Sequence, residues 1–286
     1  MAKGNMKTIK RRIKSVGSTM KITKAMEMVA SSKFRRAKTR AESSRPFFET
    51  LYSLLSDIAR ETDTLETVFT RSREVKNSLY IVVAGDRGLA GGYNSTILKQ
   101  AVHAHEGGPL PKVVAIGKKS IEYFRKHGYE LLGEYPDFSE YVDSSDCADI
   151  AISAADMFRS GEVDEVVVFF TTFISALSQR PSRLKLLPLD DITEQDGEVD
   201  PLKASTYDPS AEAVFDRIVP KFIASAVQCA CGESYASEQS ARRNAMKNAS
   251  ENAEDMIENL SLLYNRARQE KITNEINEIV AGANAI

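Results

Sequence analysis

Two stretches with heptad spacing, one at each end of the chain, constrain the fold more than any other feature. In the N-terminal stretch, apolar or small residues recur at alternating intervals of four and three. Its members are Ala30, Phe34, Ala37, Ala41, Ser44, Phe48, Leu51, Leu55 and Ile58. This spacing lines one side of a helix, and two helices bury such a stripe when they wrap around each other. Residues 1–60 are therefore predicted to form one coiled-coil helix.

Two shorter runs precede this stripe, and they differ in phase. One contains Ile9, Ile13, Val16 and Met20, and the other contains Ile22, Met26 and Val29. A change of phase in a heptad pattern alters the local supercoil, so we expect an irregular contact near residue 22. Pro46 removes one backbone hydrogen bond, and we expect a kink there and not a helix end.

The C-terminal stretch repeats the pattern over residues 208–286, with Asp208 as a capping residue followed by Pro209. Its first stripe contains Met246, Ala249, Ala253, Met256, Leu260, Leu263 and Ala267, and a shifted stripe contains Ile272, Ile276, Ile279 and Ala283. About 75 helical residues would extend about 110 Å, which is too long for a helix within a compact domain. Antiparallel pairing of the two ends of the chain is the simplest way to bury both stripes.

The segment between them, residues 75–207, changes to short β-branched runs separated by helical patterns. The strand candidates are residues 79–84, 113–117, 165–170 and 183–188, and the helix candidates are residues 118–127 and 146–160, the latter with an Asp cap. Strands that alternate with helices favour a largely parallel sheet. The predicted fold is therefore α/β, with a long antiparallel coiled coil of the N- and C-terminal helices plus a Rossmann-like α/β domain.

Charge is distributed unevenly along the chain. Residues 1–45 contain fourteen Lys or Arg and two Glu, a net charge of +12, although the whole chain carries −2. This indicates an electrostatic partner for the first helix, either nucleic acid, an acidic membrane or an acidic protein surface, unless the basic face is simply solvated. A nucleic-acid binder would need aromatic residues among the basic ones, and residues 1–45 contain only Phe34.

A nucleotide-binding enzyme with helical arms is another possible class. The glycine-rich residues 85–92 lie between a strand and a helix, where a phosphate loop could form, but they have neither the Walker nor the dinucleotide spacing. We therefore interpret them as a tight turn that needs positive φ. The cysteines and histidines lack metal-ligand spacing, so we expect no metal or cofactor, and we interpret the cysteines as buried thiols in a reducing compartment. No apolar run approaches the length of a membrane span.

Four motifs, in order along the chain, resemble the gamma subunit family of F-type ATP synthases, of the bacterial type. They are ITKAMEMVA at residues 22–30, GDRGLAGGYN at 85–94, SEQSARRNAM at 237–246 and ITNEINEIVAGA at 272–283. The resemblance covers essentially the whole chain. The family commonly has Cys at the position of Ala90. Residues 189–207 lack the cysteine-bearing insert of chloroplast relatives, so thiol regulation of that type is not expected.

The resemblance implies the central rotor shaft of the ATP synthase, itself non-catalytic, which couples ion flow through the membrane ring to conformational changes at the catalytic beta subunits. The implied partners are the alpha, beta and epsilon subunits and the membrane c-ring, at the cytoplasmic face of the cell membrane, with no nucleic acid. The implied contact residues are Met26, Arg242, Gln269 and Thr273 toward beta, and Tyr207 near the foot over the ring. A coiled-coil nucleic-acid or membrane binder is the alternative function.

Overall fold

A computed structural model of the chain describes residues 6–62, 65–137, 143–190, 192 and 207–283. In chain order, a long helix precedes the other elements and another follows them: α1 is Met6–Glu61 and α5 is Ala211–Ala283. The strands are β1 Ser78–Val83, β2 Lys112–Ile116, β3 Leu131–Tyr135, β4 Glu165–Phe173 and β5 Gln179–Leu187. The shorter helices are α2 Tyr93–His103, α3 Lys118–Lys126 and α4 Ser144–Ser160. The chain divides into two compact units, one of Met1–Ala30 with Arg242–Ile286 and one of Ser31–Ala241.

The larger unit, Ser31–Ala241, contains a five-stranded sheet in the order β3-β2-β1-β4-β5. The first four strands in this order are mutually parallel, and β5 runs antiparallel to β4. Alternate β1 residues face opposite sides: Leu79 and Ile81 contribute to a core with α4 and the long helices, whereas Tyr80 and Val82 contribute to a core with α2 and α3. The prediction of a largely parallel α/β sheet is confirmed.

In the same unit, the sheet-proximal parts of α1 and α5 pack together in antiparallel directions. The ring centroids of Phe48 and Phe222 lie 5.6 Å apart, and those of Tyr52 and Phe222 lie 6.0 Å apart. Ten residues after Phe222, a Cβ atom on Gly232 would lie 3.5 Å from the Ala41 Cα atom, seven residues before Phe48. Burial of large aromatic and aliphatic side chains therefore joins both helices to the sheet core.

In the smaller unit, α1 and α5 again run antiparallel. The hydroxyl oxygens of Thr23 and Ser250 lie 2.7 Å apart, and a Cβ atom on Gly17 would lie 3.9 Å from the Ile257 Cδ1 atom. The antiparallel coiled coil predicted from the two ends of the sequence is thus confirmed.

The predicted change of phase near residue 22 is wrong. Ile22 and Val29 are 61% and 57% exposed, whereas Thr23 and Ala30 are buried. The buried and half-buried residues of α1 continue one four–three series, which contains Ile9, Ile13, Val16, Met20, Thr23, Glu27 and Ala30. The sequence reading followed the more apolar residues and so passed over Thr23, whose hydroxyl is hydrogen-bonded inside the contact.

The seam predicted in α5 is half correct. Met246, Ala253 and Leu260 are buried as expected, but Met256 and Leu263 are 44% and 51% exposed. The half-buried Ile257 and Tyr264, each one position later, take their places, and the buried Ser250 takes that of Ala249. Of the shifted stripe, Ile272, Ile276 and Ile279 are exposed, and they lie beyond residue 268, which is about level with Met6 of α1 in this antiparallel register.

Several local expectations also differ from the structure. The sequence reading missed β3, an edge strand of alternating burial. The cap of α4 is Asp143, which accepts a hydrogen bond from the Ser145 backbone N–H, and not Asp146. At the start of α5, Ser210 accepts from the Ala213 N–H, so it takes the capping place predicted for Asp208. As expected, Pro46 lies inside α1 and does not end it, and Pro220 likewise lies inside α5.

Gly117 provides a test of the sheet geometry. It has a φ of +87°, and a Cβ atom there would lie 2.0 Å from the Ala84 carbonyl oxygen. We expect Gly117→Ala to lower the free energy of unfolding by more than ~3 kcal/mol, because the backbone at Ala84, just after β1, would have to move. Gly107→Ala is the matched control, since Gly107 has a φ of +85° and no atom within 4 Å of the added Cβ. Urea titration of both variants should show a cost of only ~1–2 kcal/mol for the control, and equal losses would contradict this account.

Candidate functional site

The carboxyl edge of the sheet is where an open α/β sheet ordinarily binds ligands, at the point where strand order reverses on either side of β1. In the Ser31–Ala241 unit, a segment of α5 lies against this edge. The Thr171 backbone N–H donates to the Ser234 hydroxyl at 3.0 Å, and the Ser237 hydroxyl donates to the Thr171 carbonyl at 3.1 Å. One turn further, the Ser240 hydroxyl donates to the Ala176 carbonyl at 2.8 Å. Three serines on one face of α5 therefore bind the end of β4 and the turn that follows it.

The end of β1 explains why these serines are needed. β1 pairs with β4 only as far as Phe169, so the next part of β4 has no strand on that side. On the other side, Thr171 faces Pro181 of β5, which has no backbone N–H. The backbone N–H and C=O groups of Thr171 thus point toward the side of β4 on which β1 has already ended. Buried backbone groups need hydrogen-bond partners. Side chains of α5 take the place of the missing strand.

The glycine-rich turn after β1 is closed by its own polar groups. The Gly85 backbone N–H donates to the Asn94 Oδ1 atom at 2.8 Å, and the Asn94 amide donates to the Arg87 carbonyl at 3.2 Å. The Asp86 Oδ1 atom accepts from the backbone N–H groups of Lys118 and Asp137. The positive φ values that we predicted for this turn occur at Leu89 and Gly91. These contacts connect the turn to α2 and α3.

The same turn lies under an acidic side chain of α5. A Cβ atom on Gly85 would lie 2.7 Å from the Glu238 Oε1 atom, and the Glu238 side chain is buried. Burial raises the pKa of Tyr93 well above its ordinary value, and the nearby Glu238 carboxylate contributes in the same direction. The Glu238 side chain occupies the space over the turn that a phosphate group would need. The carboxyl edge of the sheet therefore binds α5 and is poorly suited to binding a phosphate group.

The smaller unit presents two different flanks beside the buried seam of its helix pair. In a coiled coil, the positions that flank the seam on one helix lie beside the corresponding positions of an antiparallel partner. One flank, called the apolar flank here, contains Ile22, Met26, Val29, Met256 and Leu263, with Arg12 and Thr19 on the same side of α1. The other flank is charged and contains Lys10, Lys14, Lys21 and Lys24 of α1 with Glu251, Glu254 and Glu258 of α5. Different sides of this helix pair thus offer different chemistry to a partner.

In the smaller unit, the residues expected to contact partners are spread along the two helices. Met26 is half-buried beside the seam, and Arg242 is buried. Gln269 and Thr273 are exposed one turn apart, with the Thr273 hydroxyl donating to the Gln269 carbonyl. Gln269 lies about 40 Å from Arg242 along α5 at the helical rise per residue. In the larger unit, the half-buried Tyr207 donates its hydroxyl to the Glu61 carboxylate at 2.6 Å.

The cysteines, the potential metal ligands and the helices were each the subject of a prediction from the sequence. Cys147, Cys229 and Cys231 are free and buried, as predicted. Burial raises the pKa of Cys147 to about 12 and that of Cys229 to about 11, so both remain protonated at neutral pH. Within the described ranges there is no cluster of three potential metal ligands. The same ranges contain no helical segment with the length and apolar character of a bilayer span.

Sequence comparisons connect this geometry to known proteins. The family described as ATP synthase matches residues 5–286. The ATP synthase gamma chain of Ruminococcus albus is 47% identical over 279 residues, which are 96% of this chain and 96% of that protein. The sodium-ion-specific ATP synthase gamma chain of Acetobacterium woodii is 38% identical, with 99% of each chain covered.

Solved structures show a similar fold. A chain of the Euglena gracilis mitochondrial ATP synthase matches with a TM-score of 0.70 and 18% identity, over 99% of this chain and 95% of that one. A chain of the Tetrahymena thermophila mitochondrial ATP synthase, described as its central stalk and c-ring, matches with a TM-score of 0.59 and 25% identity. That match covers 80% of this chain and 99% of the other.

A substitution of Ser237 tests the contact between α5 and the sheet. We expect Ser237→Ala to lower the free energy of unfolding by about 1–3 kcal/mol, because the buried Thr171 carbonyl loses its partner. Ser43→Ala is the control, since the exposed Ser43 hydroxyl donates only to the Arg40 carbonyl of its own helix. Chemical denaturation of both variants should give a change within ~0.5 kcal/mol for the control. Equal effects of the two substitutions would show that the serine contact contributes nothing specific.

Proposed function

The chain belongs to the ATP synthase gamma chain family, and from this we propose that it is the central rotor shaft of an F-type ATP synthase, without catalytic activity of its own. In this role, ion flow turns a membrane ring and the ring turns the shaft. The shaft then changes the conformation of catalytic beta subunits. The observation that carries the proposal is the antiparallel pairing of α1 with α5, together with the two unlike flanks of the pair in the smaller unit.

The unlike flanks supply the physical requirement for coupling. A rod with identical sides would contact three surrounding catalytic sites equally and could not favour different conformations in them. A ligand or partner shifts an equilibrium only by its difference in affinity for the two states. The apolar flank with Met26 and the charged flank with Lys24 would contact the same partner surface with different energies. Rotation would therefore change which beta conformation is favoured.

The proposed partners are the alpha and beta subunits around the shaft, the epsilon subunit and the membrane c-ring. We place the assembly at the cytoplasmic face of the cell membrane, with this chain reaching the membrane only through the complex. Chains of solved structures titled as F1 with a c-ring and as a central stalk with a c-ring resemble this chain, which supports the proposed partners. The charged flank of α1 lies beside Glu251, Glu254 and Glu258 of α5, which favours this role over nucleic-acid binding.

The contact residues are assigned along the length of the shaft. We propose that Met26, Arg242, Gln269 and Thr273 contact the beta subunits and that Tyr207 lies near the c-ring. Support for Gln269 and Thr273 comes from their exposure on one helical face. Support for Met26 comes from its position on the apolar flank, where an unbranched, adaptable side chain suits a contact that changes during rotation.

We expect the isolated chain neither to bind nor to hydrolyse ATP. The carboxyl edge of the sheet holds Ser237 and the Glu238 carboxylate of α5, and the glycine-rich turn is tied by Asn94. Isothermal calorimetry with Mg-ATP should give no saturable heat, and a malachite green assay should give no phosphate release. Tight magnesium-dependent binding to this chain alone would refute the non-catalytic assignment.

Met26→Lys tests the apolar flank. A charge on this flank would add attraction to acidic partner groups at some rotational positions and would remove an adaptable contact, so particular rotational positions should become more stable. In the reconstituted complex we expect ATP-driven ion pumping to fall more than ATP hydrolysis, with a raised activation energy for hydrolysis.

Met28→Lys is the matched control, because Met28 lies two residues away in the same helix and is 63% exposed, outside the apolar flank. Its pumping and hydrolysis should both stay near the levels of the unmodified complex. Proportionate losses of both activities in Met26→Lys would show that Met26 serves only the stability of the helix pair.

A further inference from the structure

The turn between β4 and β5, residues 174–178, exposes apolar side chains at the carboxyl edge of the sheet. Leu177 is 84% exposed and Ile174 is 54% exposed. Single exposed apolar residues are common on protein surfaces, and turns ordinarily carry polar side chains. Two apolar residues within one five-residue turn, here named the Leu177 turn, form a small apolar projection that the packing of the sheet does not require.

Hydrogen bonds hold the Leu177 turn in one conformation. The Ser175 N–H donates to the Ser178 carbonyl at 2.9 Å, and the Ser178 N–H donates to the Ser175 carbonyl at 3.2 Å. The Ser175 hydroxyl oxygen accepts from the N–H groups of Leu177 and Ser178, at 3.3 and 3.1 Å. The Ser240 hydroxyl of α5 donates to the Ala176 carbonyl at 2.8 Å. Because the turn is already ordered, a partner that binds its apolar side chains loses little conformational entropy.

The strand that follows gives the projection a basic border. Residues 166–189, which include β5 and most of β4, contain three basic residues and no Asp or Glu. Lys185 pairs with Asp190, whereas Arg180 and Arg183 lie nearer the turn and are exposed. An apolar projection beside two exposed guanidinium groups fits a pocket that is apolar inside and has carboxylates at its rim.

Addition of a strand to the β5 edge is a different way to bind a partner, and Pro181 opposes it. Thr171 directs both its N–H and its carbonyl to α5, so the Thr171–Pro181 pair is of the non-hydrogen-bonded kind. The backbone of Pro181 therefore points to the outer edge of the sheet, where proline has no N–H to donate. Binding at this end of the sheet is thus expected to use the side chains of the turn.

The position of the turn distinguishes among the proposed subunits. The alpha and beta subunits surround the shaft and meet different sides of it during rotation, so a projection inserted into one of them would have to be withdrawn at every step. The c-ring contact is proposed at Tyr207. Ser240, which holds the turn, lies about 45 Å along α5 from the helix end next to Tyr207. The epsilon subunit is the remaining proposed partner.

We propose that the Leu177 turn inserts Leu177 and Ile174 into an apolar pocket of the epsilon subunit, whose carboxylates pair with Arg180 and Arg183. This contact rests on the proposed function, because that function supplies the choice of subunit. The two can fail separately, since binding of epsilon and assembly with alpha and beta are measured independently.

Binding of the purified epsilon subunit to the full chain tests the projection. Leu177→Ser should weaken binding roughly tenfold or more in isothermal calorimetry, because the burial of a leucine side chain is lost. Leu110→Ser is the matched control, because Leu110 is 60% exposed just before β2, at the opposite edge of the sheet. The control should change the dissociation constant by less than about twofold. Equal dissociation constants for Leu177→Ser and the unmodified chain would overturn the proposal.

Substitutions of Arg180 test the basic border. Arg180→Glu should weaken epsilon binding, and the loss should be largest at low salt, where repulsion between carboxylates is least screened. Arg180→Lys keeps the charge and should retain most of the affinity. A loss in Arg180→Lys as large as that in Arg180→Glu would overturn the assignment of an acidic rim to the pocket.

Cysteine labelling identifies what covers the turn. Maleimide should modify Leu177→Cys severalfold more slowly when epsilon is saturating than in the free chain, whereas Leu110→Cys should react equally fast in both. Mass spectrometry separates these sites from the buried Cys147, Cys229 and Cys231. Protection by alpha and beta alone, or by raising the concentration of the free chain, would assign the turn to those subunits or to a second copy and would overturn the epsilon contact.

Assembly separates a failure of this proposal from a failure of the proposed function. If the unmodified chain assembles with alpha and beta but epsilon does not protect Leu177→Cys, the proposed function stands and the epsilon contact is refuted. If the unmodified chain binds neither alpha and beta nor epsilon, both are refuted. If Leu177→Ser loses epsilon and still assembles with alpha and beta, the variant is folded and both are supported.

Discussion

The pairing of α1 with α5 is the interaction on which both compact units depend. In the larger unit it is stabilised by large side chains, because Leu55 and Ile58 are fully buried beside Phe222 in the sheet core. Burying each of these contributes about 1.5–3 kcal/mol. In the smaller unit the seam residues of α1 are mostly half-buried, as are Ile257 and Tyr264 of α5, and the Thr23–Ser250 hydroxyl pair lies among them, so hydrophobic burial contributes less per residue. The same two helices are thus held together by hydrophobic burial in both units, with fewer fully buried large side chains in the smaller one.

The sheet domain is connected to α5 by backbone chemistry as well as by its core. Because β1 ends before β4 does, Thr171 needs partners that a strand would ordinarily provide, and Ser234 and Ser237 supply them. The crevice that comparable sheets use for a nucleotide is filled by the chain's own helix. A fold that commonly binds dinucleotides here serves to hold a long helix, which agrees with the principle that function belongs to the site and not to the fold.

Much of the fold could be predicted from the sequence, because heptads and β-branched runs report burial directly. The errors in the two helical seams have one cause, which is that polarity was taken as a sign of exposure. Thr23 and Ser250 were passed over for Ile22 and Ala249, although a hydroxyl that finds a partner can be buried at little cost. β3 was missed because an edge strand with alternating burial lacks a continuous apolar run. The role of Ser237 depends on where β1 ends relative to β4, and no local pattern contains that information.

The exposed apolar residues of the smaller unit link its thermodynamics to its surface. The helix pair buries the more apolar seam of the two helices, yet it leaves Ile22, Val29, Met256 and Leu263 44–61% exposed beside that seam. Burying these exposed apolar side chains would lower the free energy further, and only another chain can bury them. The charged flank has no such surplus, because its lysines and glutamates are well solvated. A partner that encloses the pair would therefore bind its two flanks with unequal energies. That inequality is what a rotating element needs if its angle is to determine the conformation of its surroundings.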